Sequence, residues 1–543
     1  MLGMLGRQGL RAALAGGFRR FEADLTTPVY AQARVLTEIV AQTARTEYGR
    51  SLGIRGSEPY GKFALRVPVV EYEELRPWID RQAASREPVL APEPVVVYEQ
   101  TSGSVGPAKL IPYTQSLLRS FDAMVRLWIY DLLRRGPSLD TGRTFVSVSQ
   151  PVRDARTTSS GVPIGLADDT CYLSPTLRRA LSGRFLVPSD LGSLGSWAGY
   201  RRALATSLVS ESALEVISVW SPTYLTTLLD WISENRGEIT ESLSKGFVTA
   251  NGVQVPVRVR ADAGSVLGSG PGVDWLRVWP RLKLLSCWAD GASTRFLPRL
   301  RNEFPGLWIQ PKGLLATEAP LTLPLCHAAA PVPLLGEVFL EFESDAGDIH
   351  LLNELETGRE YSLIVTQRGG LLRYRMGDVV RCERRMRATP TLRFLGRTRE
   401  VADLVGEKLH ERFVREALDR LPAISGAFSF LVPIARSTEA PHYLCVTDGL
   451  AEASCERGGL RSGGRRTLVR EQERLLDREL QRAVQYGAAR GLGQLSGVEI
   501  LPCRDAKERF TRLYLGRGMR WGDIKCSALV DSVTETELEA LIS

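Results

Sequence analysis

The segment Thr101-Ser102-Gly103-Ser104-Val105-Gly106-Pro107-Ala108-Lys109 sets three hydroxyls, two glycines and a lysine just after a β-branched run, Val95–Val97. Backbone N–H groups and hydroxyls in such a turn can wrap phosphate oxygens, glycine lets the backbone approach closely, and the ammonium adds positive charge. The order of a Walker loop is absent, and so is G-x-G-x-x-G. On its own a Gly/Ser-rich turn is an ordinary structural feature, so its chemistry depends on company. Two further segments supply it. In Gly313-Leu314-Leu315-Ala316-Thr317-Glu318 a carboxylate ends an apolar run and can face a divalent cation. In Arg373-Tyr374-Arg375-Met376-Gly377-Asp378 an aspartate follows a glycine turn, a placement that suits the two hydroxyls of a ribose. Singly, Glu318 and Asp378 read equally well as caps or ion-pair partners. A fourth element, Gly396-Arg397 followed by Gly406-Glu407-Lys408-Leu409, sits where the texture of the chain changes and suits a hinge.

The elements that must position these residues follow from periodicity. Helical spacing over Pro28–Tyr48 and over Ser116–Leu133 predicts two amphipathic helices, the second presenting Leu117, Phe121, Met124, Leu127, Trp128 and Leu132 on one side. Short β-branched runs at Thr144–Val148, Ala213–Val219, Arg281–Ser286, Gly336–Phe342 and Tyr361–Thr366 alternate with helical stretches at Trp197–Leu208, Thr223–Glu234 and Thr294–Phe304. That alternation predicts an α/β protein with layered sheets. Beyond Phe394 a smaller α+β unit is expected, with a helix at Glu411–Leu421, strands at Ala427–Pro433 and Tyr443–Thr447, and one long helix over Thr467–Arg490. The division is a large domain over 1–395 and a small cap over 396–543.

Composition sets the outer bounds. The chain has 543 residues, 44% hydrophobic and 24% charged, which are averages of folded globular proteins and exclude a disordered, collagenous or coiled-coil chain as a whole. The net charge of +7 is dilute over this length, so nucleic-acid binding is not implied. Eight cysteines form no C-x-x-C pair and the four histidines have no partner at ligand spacing, so reduced thiols and no zinc site are expected. No apolar run approaches the roughly 18 residues of a membrane helix, and the amphipathic, arginine-studded start lacks a signal-peptide core, so a cytoplasmic protein without an integral membrane segment is expected. The Gly/Arg-rich segment 456–466 reads as a flexible insertion.

Together, in order and spacing, the four motifs resemble the adenylate-forming ligase superfamily. More closely, the chain resembles the bacterial form of the Gretchen Hagen (auxin-responsive promoter) family of acyl acid amido synthetases, through TSGSVGPAKLIPYT, LKLLSCWADGAS, KGLLATEAP, LLRYRMGDVVRC, QYGAARGLGQL and GDIKCSAL. The resemblance implies an ATP- and magnesium-dependent ligase that adenylates a small carboxylic acid and passes the acyl group to an amine. It implies that Thr101, Ser102, Gly103, Ser104 and Lys109 hold phosphates, Thr317 and Glu318 sit by AMP and magnesium, Asp378 meets the ribose, Arg397 contacts nucleotide at the hinge, and Lys525 is the lysine brought in by the small domain. An acyl pocket is expected between Phe121, Met124 and Trp128 on one helix and Trp220 and Tyr224 on another, with Arg119 or Arg126 available to a substrate carboxylate. Of the histidines only His327, nine residues past Glu318, is close enough in sequence to approach that pocket. Leu314 stands where many relatives carry a tyrosine. Two other products fit the same motifs: a thioester on coenzyme A or a carrier protein, or none at all from a non-catalytic scaffold.

Overall fold

The computed structural model describes residues 4–100, 109–146, 156–166, 169–181, 183–186, 197–250, 252–397, 401–435, 441–450, 462–519, 521–530 and 532–542. Two compact units emerge among them: one holds the residues up to Asp290 and Leu297–Phe394, the other Gly291–Phe296 and the residues from Leu395 on.

The larger unit is layered α/β. A five-stranded, wholly parallel sheet has the order Trp308–Pro311, Leu284–Cys287, Val216–Ser218, Thr144–Val146, Phe185–Leu186. Its three central strands are runs of buried or half-buried residues without polar alternation, as parallel strands covered by helices on both faces require. A second five-stranded sheet is built from antiparallel neighbours, in the order Ile349–Leu351, Phe339–Glu343, Glu360–Thr366, Tyr374–Met386, Thr389–Arg397. A mixed four-stranded sheet pairs Val95–Gln100 with Leu110–Thr114 antiparallel and with Pro163–Ile164 parallel. Helices Pro28–Thr43, Tyr72–Ala84 and Gln115–Arg135 bury Val35, Leu36, Ile39, Leu75, Ile79, Leu117 and Phe121 in the same core as Phe339, Leu363, Val365 and Tyr374.

The expected helix Pro28–Tyr48 is two. Thr46 leaves the helix, gives its hydroxyl proton to the Thr43 carbonyl, and caps a short helix Glu47–Ser51 by accepting from Gly49 N at 2.9 Å. A threonine hydroxyl competing with the backbone ladder is the physical cause.

The smaller unit pairs Ser429–Ile434 antiparallel with His442–Thr447, which pairs parallel with Glu499–Pro502. Its core gathers Val414, Leu418, Leu431, Tyr443, Leu476 and Tyr486. Here too the expected helix over Thr467–Arg490 divides, into Ser462–Leu480 and Val484–Gly491, with Ala483 extended between them. Asp477 ties the two pieces together: it accepts from Tyr486 Oη at 2.8 Å and from the Arg490 guanidinium at 2.9 to 3.2 Å. Among the described residues no helix is long and apolar enough to cross a membrane.

Candidate active site

In the larger unit Thr317 and Glu318 form the tip of a hairpin. Leu314 N donates to Thr322 Oγ1 at 2.7 Å, Leu321 N and Thr322 N return to the Leu314 carbonyl at 3.2 and 3.1 Å, and Ala316 N donates to the Ala319 carbonyl at 3.2 Å. The hairpin opens at Gly313, whose φ is +73° and where a Cβ would stand 2.9 Å from the Thr322 carbonyl oxygen, so a side chain is excluded by both strain and space. Tyr113 pins the tip, donating its hydroxyl proton to the Thr317 carbonyl at 2.5 Å. Burial pushes the Tyr113 hydroxyl far above its ordinary range, with Tyr172, Glu99 and Glu318 adding to the rise, so it stays a donor. Glu318 is 6% exposed.

Glu99 belongs to this cluster and was missed from sequence. It is buried on Val95–Gln100 and accepts from Leu166 N at 2.6 Å. The available signal was a carboxylate closing a β-branched run two residues before the loop at Thr101.

Lys109 enters the strand Leu110–Thr114 with its ammonium 5.3 Å from the centre of the Tyr72 ring, while the Tyr72 hydroxyl accepts from Leu110 N at 2.8 Å. Thr101, Ser102, Gly103 and Ser104 lie outside the described residues.

Asp378 is 1% exposed and sits in a bulge. On one strand Ser362 and Ile364 pair with Val379 and Arg375 on the other, so Leu363 faces three residues, Met376, Gly377 and Asp378. Gly377 supplies the φ of +80° that such an insertion requires. The two arginines of the same motif are structural. Arg373 gives Glu341 three bonds of 2.8 to 3.0 Å and its other arm to the carbonyls of Ala64 and Val67, and Arg375 grips Glu343 at 2.6 and 2.9 Å.

The residues expected to line an acyl pocket divide. Phe121 stacks on Tyr113 with centroids 5.5 Å apart, Met124 packs half-buried against the main core, and Tyr224 is 2% exposed on the helix Pro222–Glu234. Trp128 and Trp220 instead flank Lys312, whose ammonium is 5.8 and 4.8 Å from their ring centres. The arginines expected nearby are engaged elsewhere: Arg126 pairs with Asp122 at 2.5 Å and bonds Ser174, and Arg119 bonds Ser116. Asp122 and Ser116 lie four and three residues before these arginines on the same helix, the spacing at which helical side chains meet. His327 is exposed.

In the smaller unit Arg397 ends the strand Thr389–Arg397, and Lys525 follows the turn Trp521–Asp523. After Lys525 the chain makes a single bridge, Leu529 to Leu431, with Leu431 N on the Ala528 carbonyl and Val530 N on the Leu431 carbonyl, both 2.8 Å. The cause is Ser527, whose hydroxyl binds Leu529 O at 2.7 Å and keeps that backbone in a turn.

Comparison with known proteins accounts for this arrangement. The model of the GH3 family N-terminal domain matches residues 17–309 and that of the GH3 family central domain residues 336–397. An indole-3-acetic acid-amido synthetase of Arabidopsis thaliana, GH3.4, is 24% identical over 434 residues, covering 74% of this chain and 72% of that protein. The indole-3-acetic acid-amido synthetase GH3.8 of Oryza sativa subsp. indica is 26% identical, covering 75% and 72%. In structure, the AtGH3.15 acyl acid amido synthetase in complex with 2,4-DB superposes with a TM-score of 0.80 at 19% identity, over 96% of this chain and 95% of that one. A 2-hydroxyisobutyryl-CoA ligase in complex with 2-HIB-AMP reaches 0.53 at 13% identity, over 96% and 91%. The fold is that of the adenylate-forming ligases, and with family models covering both the parallel sheet and the bulge that carries Asp378, the chain belongs to the GH3 family.

Proposed function

We infer that this chain is an ATP-dependent acyl acid amido synthetase. A carboxylate oxygen attacks the α-phosphorus of ATP, the bond to the β,γ-phosphates breaks, and pyrophosphate leaves. An amine then attacks the acyl carbon, AMP departs, and the amine loses a proton to give the amide. The observation that carries the reading is the Thr317–Glu318 tip, with Glu318 buried and the Thr317 carbonyl pinned by Tyr113, in a chain of this family.

The residues act through position and charge, because an in-line displacement at phosphorus needs fixed donors and cations more than a nucleophilic side chain. Thr101, Ser102, Gly103, Ser104 and Lys109 hold the phosphates, and Asp378 accepts from the ribose hydroxyls. Arg397 contacts the nucleotide, and the cap of residues 396–543 delivers Lys525 to the charge that develops on the α-phosphate. A magnesium ion would be held by Glu318, a hard oxygen donor of the kind that shares such an ion with phosphate and water. When bound, it supplies positive charge to the phosphate oxygens. We place the reaction in the cytoplasm, where ATP is supplied.

Amide rather than thioester is favoured by the closer match to the amido synthetase structure, 0.80 against 0.53. Carboxylate-dependent exchange of labelled pyrophosphate into ATP, followed by product analysis with amino acids or with coenzyme A, tests the reading. Exchange with amide formation is expected. Exchange with thioester alone would reassign the second step, and no exchange across a broad acid panel would leave a scaffold. Lys525→Ala is expected to slow single-turnover adenylate formation by on the order of a hundredfold while sparing ATP binding; a rate within a few-fold of wild type would remove Lys525 from the site.

A further inference from the structure

Lys525 stands on a segment of the smaller unit in which burial alternates: Ile524, Cys526 and Ala528 are buried, Asp523, Lys525 and Ser527 half-buried. Near neighbours hold part of this backbone. The bridge of Leu529 to Leu431 fixes it to the sheet, and the Lys525 carbonyl accepts from Ser527 N at 3.0 Å. A further hold comes from far away in the chain: Glu411 Oε1 accepts from Ala528 N at 3.0 Å, across 117 positions of sequence. Glu411 is 2% exposed and Ala528 0%. The other carboxylate oxygen of Glu411 accepts from Arg415 Nη1 at 3.2 Å, one turn along the helix. Both oxygens of a buried charge are thus engaged, as its burial demands.

The place of Glu411 is set where the chain begins the smaller unit. Val401–Ala402 pairs antiparallel with Leu409–His410, and Glu411 is the next residue, opening the helix Glu411–Asp419. The turn between those two strands is braced. Glu407, 0% exposed, accepts from Leu404 N and Val405 N at 2.8 Å each and from the Tyr443 hydroxyl. A ribbon closed on a braced turn moves as one piece, and the bond from Ala528 N to Glu411 joins that piece to the segment of Lys525. A neutral carbonyl would satisfy one buried N–H without burying a charge, which is costly to desolvate. The carboxylate instead makes a stronger, charge-assisted bond, and makes it three residues from Lys525.

We propose that Glu411 is a positioning residue for Lys525: it fixes the backbone from which the lysine reaches the α-phosphate, so that the start of the smaller unit and the lysine move together. This rests on the reading of Lys525 given above. What Glu411 sets is the place of the Lys525 backbone, whichever group the ammonium itself meets. A charged group displaced by about 1 Å can cost on the order of a hundredfold in rate, so the bond to Ala528 acts on the adenylation step without touching substrate.

The test is single-turnover adenylate formation and ATP binding by the full chain carrying Glu411→Ala, Lys525→Ala or both. Glu411→Ala is expected to slow adenylate formation by roughly tenfold or more while ATP affinity stays within about twofold of wild type. The double variant should be no slower than Lys525→Ala alone, because a displaced lysine and a missing one cost the same step. Glu411→Gln keeps an acceptor oxygen for Ala528 N and should recover most of the rate. Glu411→Asp keeps the charge but draws it back by one methylene, so it should slow the step in wild type and not in the Lys525→Ala background; it serves if the alanine variant does not fold. Wild-type rates in the alanine and aspartate variants, or losses that multiply with that of Lys525→Ala, would overturn the assignment while leaving the lysine in the site. A Lys525→Ala rate within a few-fold of wild type would instead overturn the reading of Lys525 and this inference with it.

Discussion

The two five-stranded sheets of the larger unit bring out chemistry in different ways. The parallel sheet keeps its ladders intact and delivers side chains where strands stop: Ser218, Cys287 and Lys312 stand at or just past three carboxyl ends. The antiparallel sheet delivers Asp378 from within a strand, by inserting residues into the ladder at Gly377. A strand end can change without disturbing the pairing behind it. A bulge depends on the strand on both sides of it, and here that strand is held by buried charge. The difference teaches that a strand end can vary without disturbing the ladder behind it, whereas the residues of the Asp378 bulge are tied to the pairing on both sides.

Substitutions can break that contrast. The largest effect is expected at Arg373, upstream of the bulge: Arg373→Ala leaves Glu341 buried at 0% exposure without its guanidinium, a change that costs about 3 to 5 kcal/mol of stability, read by denaturant unfolding. Asp378→Ala should weaken ATP binding by roughly 2 to 4 kcal/mol through the lost charge-assisted bonds to ribose, with a smaller loss of stability. Calorimetry on the folded variant measures it, and unchanged affinity would make Asp378 structural. The smallest effect is expected at the parallel edge: Trp128→Phe removes the indole donor to Gln310 and should cost about 1 kcal/mol of stability, while altering the ranking of acid substrates in the pyrophosphate assay. If Trp128→Phe were as damaging as Arg373→Ala, the edge would not be the tolerant side.

Where the fold was legible in sequence, a local signal carried it. The β-branched runs at Val216–Ser218 and Glu360–Thr366 and the apolar stripe of Gln115–Arg135 appear with ends shifted by a few residues. The breaks were hidden because single side chains make them: Thr46 capping, Ser527 holding a turn, Asp477 bridging two helices. In the candidate site, Glu318 stood out as a carboxylate ending an apolar run and Asp378 as one following a glycine turn. Glu99 and Lys312 did not, since each owes its surroundings to residues more than sixty positions away, Leu166 and Ser218 among them. Arg119 and Arg126 drew attention as cations on the right helix, yet their own near neighbours engage them. Long-range pairing of this kind leaves no trace in spacing.

The five residues Leu110–Thr114 bear on how this chain can vary in length. Leu110 N rests on the Tyr72 hydroxyl, Tyr113 holds the Thr317 carbonyl, and Thr114 caps the following helix by accepting from Leu117 N at 3.2 Å. Alternate residues of a strand face opposite ways, so inserting or deleting one residue here would turn every later side chain to the wrong face. The hairpin tip would lose its anchor and the helix its cap in the same event, and Lys109 would shift along the Val95–Gln100 ladder. Length variation should therefore be absorbed elsewhere in the chain, and a single-codon deletion between Lys109 and Thr114 is expected to abolish the enzyme where a conservative substitution would only weaken it.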